Sequence, residues 1–101
     1  MVDDASIDKL VEDLQQVFDD YVKIFIKKQH DYGPGNINAF GLPGVVVRLS
    51  DKIQRLRNLY YDGFAIREPP VVSNETVDDT LMDIIGYAAI ALLLRRGKWP
   101  K

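Results

Sequence analysis

Apolar residues recur at steps of three and four in the first third of the chain: Ile7, Leu10, Val11, Leu14, Val17, Phe18, Tyr21, Val22 and Phe25. On a 3.6-residue repeat they fall along one side, which predicts an amphipathic helix over about residues 5–29. A second helix is predicted over about 43–61, where Leu49, Ile53, Leu56 and Tyr60 make the apolar stripe. Pro43 suits its first turn, because the N–H that proline lacks has no helical partner there. A third helix is predicted over about 74–96. Ser73 or Asn74 can cap it, while Glu75, Asp78 and Asp79 suit the positive end of its dipole. Arg95, Arg96 and Gly97 place cations and a glycine where a helix ends. Between these elements lie loops over about 30–42 and 62–73; Gly63 and the pair Pro69-Pro70 break the second from the third helix. No segment alternates as a strand would. The pattern predicts an all-α protein, a bundle of three main helices in one domain over residues 1–101.

The third helix changes character along its length. Up to Asp83 it is amphipathic, but in IIGYAAIALLL, Ile84 to Leu94, apolar side chains cover every face. Such a helix needs neighbours all round, which two other helices of a small chain scarcely supply. Pairing with a second copy is the simplest remedy, and Gly86, Ala88, Ala89 and Ala91 permit close approach; the alternative is a monomer with the first helix folded tightly over the third. The run is 11 residues, short of the roughly 18 that would suggest a membrane span.

Composition then removes several classes. The chain has 101 residues and a net charge of −2, so no global basic field gathers nucleic acid. It contains no cysteine, which rules out disulfides and thiolate metal sites and fits a reducing compartment. The acidic start MVDDASIDK lacks the basic and apolar regions of a secretory signal, so the expected location is the cytoplasm. No Walker-type G-x-x-x-x-G-K and no Ser-His-Asp arrangement is present.

The remaining chemistry is acidic on the third helix and basic on the second. Glu75, Asp79 and Asp83 are spaced by four and share a face. A solvated face would carry them at a cost of a few tenths of a kcal/mol per pair. Asp83, however, stands against the all-apolar block and calls for a compensating cation or basic side chain; with oxygen ligands alone the cation would be Mg²⁺. On the second helix Arg48, Asp51, Lys52, Arg55 and Asn58 recur at three- and four-residue steps beside the apolar stripe. They suit a phosphate, and equally suit intrahelical pairs such as Asp51 with Arg55. Upstream, KKQHDYGPGNINAFGLPG joins polar side chains to glycines that let backbone approach a ligand, though a sharp turn uses glycine in the same way. His30 is read as a helix-end residue and not a catalyst; Trp99 either packs on a partner subunit or marks a ligand edge, packing being the commoner reason.

Three blocks carry a family resemblance: KKQHDYG, GLPGVVVRLSDKIQRLRNL and ETVDDTLMDIIGYAAIALLL. Together, across about residues 27–94, they resemble the nucleotide-modification-associated domain family of viral and bacterial genomes, itself similar to the all-α MazG and dimeric dUTPase-like pyrophosphohydrolases. The resemblance implies a helical homodimer or homotetramer that binds Mg²⁺ and cleaves nucleoside triphosphates to monophosphate and pyrophosphate. It implies catalytic acids Asp51, Asp79 and Asp83, and metal ligands Glu75, Asp79 and Asp83. Lys28, Asp31, Tyr32, Arg48, Lys52 and Arg55 would surround the nucleotide, in the host cytoplasm if the source is viral. The chain departs from the relatives' Glu-x-x-Asp motif at Thr80, where Asp79 would take the glutamate's place, and from their Glu-x-x-Glu motif at Arg48. A non-catalytic nucleotide binder, or a helical interaction module, therefore stands beside the enzyme.

Overall fold

The computed structural model describes residues 2–59 and 76–100. All regular structure among them is helical: α1 (Asp4–Tyr32), α2 (Gly35–Asn38), α3 (Gly41–Leu59) and α4 (Val77–Arg95). Tyr60, Glu75, the connector over 62–73 and the capping candidates Ser73 and Asn74 lie outside the described residues. None of the described helices is long and apolar enough to cross a membrane. The chain divides into two compact units, Met1–Gly33 and Pro34–Lys101.

The first unit is α1. Asp3 caps it, its Oδ1 accepting from the Ser6 N–H at 2.8 Å. The helix runs past residue 29, where the sequence pattern predicts a loop, because His30, Asp31 and Tyr32 are all able to remain helical. Gly33 ends it with φ 72°, a backbone conformation that suits glycine, and donates its N–H to the Gln29 carbonyl at 2.8 Å. Tyr21 and Phe25, one turn apart, hold their rings 6.1 Å apart and tilted. No residue of α1 is buried; Leu10 is 63% exposed and Phe18 48%.

In the second unit the predicted loop contains a further helical turn, α2, after Pro34. Gly41 (φ 60°) then redirects the chain into α3, two residues before Pro43. Phe40 folds back on this turn so closely that a Cβ at position 44 would stand 2.6 Å from the Phe40 Cβ, which is why a glycine occupies that position.

α4 begins at Val77, later than the pattern predicts, because Thr76 is its cap. The Thr76 Oγ1 accepts from the Asp79 N–H at 3.1 Å, and the Asp79 carboxylate accepts from the Thr76 N–H at 3.0 Å. This reciprocal capping box satisfies two backbone donors at once. At the other end Gly97 (φ 65°) donates to the Leu94 carbonyl and Lys98 to that of Leu93, closing a Schellman turn where the sequence pattern places the helix end.

α3 and α4 pack on each other, and two polar pairs set their register. Lys52 meets Asp83, and Arg55, three residues later, meets Thr80, three residues earlier. The helices therefore run antiparallel. The same register brings Val45 level with Ile90 and Leu59 near Val77, and all four are buried. The seam thus has an apolar plug near each end and polar pairs between. It differs from the predicted stripe: Ile53 is 41% exposed, while Lys52 and Arg55 turn inward. Their long hydrocarbon stems can cover apolar surface while their charged heads reach the polar groups of α4.

From Ile84 to Leu94, α4 is apolar on all sides. Gly86 and Ile90 are buried, but Leu81 and Leu92 remain exposed. The C-terminal segment folds back on the turn before α2: the buried Trp99 donates its indole N–H to the Pro34 carbonyl at 3.1 Å, and Asn38 Nδ2 donates to the Pro100 carbonyl at 2.6 Å. Trp99 is thus a packing residue within its own unit.

Candidate functional site

The middle of the α3–α4 seam gathers several of the residues singled out by sequence. Lys52 Nζ lies 3.0 Å from Asp83 Oδ2, with side chains only 22% and 14% exposed. Arg55 donates its Nε–H to Thr80 Oγ1 at 3.2 Å, and that hydroxyl in turn donates to the Thr76 carbonyl at 3.0 Å. Thr80 is completely buried. Thr80 therefore anchors an arginine of the facing helix. Asp83 is compensated as its sequence context demands, by a lysine of the facing helix.

The acids divide between structural duties. Asp79 is occupied in the capping box, Asp83 faces Lys52, and Asp51 is exposed on α3. Among the described residues no three His, Cys, Asp or Glu side chains are grouped so as to hold a metal ion. Of the three ligands the resemblance implies, Asp79 and Asp83 are on α4, and Glu75 lies outside the described residues.

Arg48 sits one turn before Lys52 on α3, in different surroundings. It lines an open hollow of about 390 Å³ with Phe40, Pro43, Gly44 and Val47. Phe40 is 74% exposed and Val47 60%, so an aromatic ring and an aliphatic side chain present themselves beside a guanidinium. A smaller crevice adjoining it through Phe40, Gly44 and Arg48 is lined also by Asn36 and Ile37. The Asn36 Oδ1 is buried without a hydrogen-bond partner. The open hollow joins apolar contact and a cation, two ingredients of a small-molecule site.

Sequence reasoning selects Arg48 but misses Phe40 and Asn36. The signal for Phe40 is the F-G-L-P-G turn, whose second glycine accommodates the ring. Nothing in the local sequence marks Asn36. Lys28, Asp31 and Tyr32 belong to the first unit, on the last turns of α1, where all three are exposed, as is His30. Comparison with protein-family models, with curated proteins and with solved structures gave no match.

Proposed function

We propose that this protein binds a nucleotide, or a closely similar phosphorylated ring compound, at the hollow at the start of α3. The carrying observation is Arg48 beside the exposed Phe40 in that hollow. A base would lie against Phe40 and Val47. The phosphate would take the planar fork of Arg48. Lys52 and Arg55 join α3 to α4 one and two turns further along the helix, so their role here is support.

Binding without hydrolysis is the preferred reading, because Asp79 and Asp83 are engaged by a helix cap and a lysine. The competing reading is the Mg²⁺-dependent pyrophosphohydrolase of a MazG-like dimeric bundle. It is favoured by Asp83, a largely buried acid on α4 at the place of the relatives' aspartate.

Thermal melts with nucleoside mono-, di- and triphosphates, with and without Mg²⁺, test the assignment. A ligand at 100 times its dissociation constant adds about 2.7 kcal/mol of stability. The expected result is a rise in melting temperature that Arg48→Ala and Phe40→Ala each abolish. If no nucleotide moves the melt, the proposal fails. Release of pyrophosphate that requires Mg²⁺ and is lost in Asp83→Asn would replace it with the enzyme.

A further inference from the structure

We infer that the apolar side of α1 is a self-association surface, on which α1 of a second copy of this chain docks antiparallel. The helix has 29 residues and is therefore roughly 43 Å long. Ile7, Leu14 and Tyr21 recur at sevens along it, as do Leu10, Val17 and Ile24. A seven-residue repeat keeps one stripe in register with a partner helix through a left-handed supercoil. Within the first unit nothing covers the N-terminal part of the stripe: Ile7, Leu10, Val11, Leu14 and Phe18 are each 45–63% exposed, while Tyr21 and Ile24 further along are half-buried. Water-facing apolar surface of that length marks an association site.

Charge selects both occupant and orientation. From Asp4 to Asp20 the helix carries Asp4, Asp8, Glu12, Asp13, Asp19 and Asp20 against Lys9 alone, a net charge of −5. From Tyr21 to Tyr32 it carries Lys23, Lys27 and Lys28 against Asp31, a net charge of +2 with His30 neutral. A second copy laid parallel would set acidic half on acidic half. Laid antiparallel, each basic half faces an acidic one at a helix-packing distance of roughly 8–10 Å, about one Debye length at physiological salt. The surface is thus complementary to itself in one direction only. Self-association of this kind does not depend on nucleotide binding at the second unit.

Sedimentation equilibrium over the micromolar range should give a mass of two chains. Because the protein has no cysteine, single spin labels can be placed at Ala5→Cys and Gln16→Cys. In an antiparallel pair crossing at the helix midpoint, the Ala5 labels should be on the order of 40 Å apart and the Gln16 labels much closer, from the helical rise. Leu14→Asp should raise the dissociation constant at least tenfold while leaving Trp99 fluorescence, a reporter on the second unit, unchanged. Should Leu14→Asp unfold the chain, Lys23→Glu with Lys27→Glu decides, since it leaves the apolar stripe intact. That pair should weaken association at least fivefold at low salt and less at high salt. A monomer throughout, a mass other than two chains, short distances for both labels, or no effect of the charge reversal would each overturn the inference.

Discussion

Lys52 and Asp83 illustrate how burial decides the worth of a charge. Were both fully exposed, their 3.0 Å contact would contribute roughly 0–1 kcal/mol. Side-chain exposures of 22% and 14% put the pair closer to the buried regime, where removing one partner strands the other. Asp83→Ala or Lys52→Met alone should therefore cost about 1–3 kcal/mol in urea melts, within the range between exposed and buried pairs. The double replacement Lys52→Met with Asp83→Leu should recover most of that loss, because two apolar side chains can fill the seam without desolvating charge. A double variant as unstable as the sum of the singles would show that the pair is not a mutual one. Asp83's need of a partner is legible in the sequence from its place beside an apolar run. The identity of that partner is not, because residues 52 and 83 meet only when α3 and α4 are laid antiparallel in this register.

At the scale of the element, helix ends are governed by a few backbone groups, and most of these are readable from the chain. Gly97 stops α4 where the pattern predicts, and Gly33 stops α1 at a glycine that the turn chemistry marks. The start of α4 is harder to place because Ser73, Asn74 and Thr76 are all competent caps, and only Asp79, three residues after Thr76, completes a reciprocal box. Asp3 at the start of α1 yields a pH dependence. The Ser6 backbone N–H, then the Ser6 side chain, hold its carboxyl below the ordinary value of 3.8. A carboxyl with a depressed folded-state pKa stabilises the helix start above its unfolded value, and that contribution is lost as pH falls through the folded one. The Ser6 amide resonance should thus titrate with a midpoint below 3.8 and cease to titrate in Asp3→Ala. A midpoint at or above 3.8 would contradict the cap.

On the scale of the molecule, the second unit has a small apolar core for its length: Ile37, Val45, Leu59, Val77, Ile90 and Trp99 are its buried hydrophobic residues among those described. Trp99 comes from the last residues of the chain and bonds to Pro34, so it ties the C-terminal segment to the turn that precedes α2 and α3. Trp99→Ala should cost about 3–5 kcal/mol, as large-to-small core changes do. Trp99→Phe should cost less, about 1 kcal/mol beyond its packing loss, because the Pro34 carbonyl then lacks its indole donor. Urea unfolding followed by far-ultraviolet circular dichroism measures both; equal stability of Trp99→Ala and the parent would mean that this clasp contributes nothing. The candidate site depends on this same scale, since Asn36 and Arg48 line one crevice only because α2 turns back beside the start of α3.

The sequence by itself determined the helical class, the three long helices, the glycine stop of α4 and the apolar block of that helix. Each of these follows from local periodicity or from the φ a single residue must adopt, and so is written within a few turns of chain. Only the tertiary structure decided which face of α3 turns inward, that Lys52 and Arg55 rather than Ile53 occupy the seam, and that Phe40, Asn36 and Arg48 line one crevice. Those outcomes depend on the register of two antiparallel helices and on the turn of the chain between α2 and α3, where residues far apart in sequence compete for the same contacts.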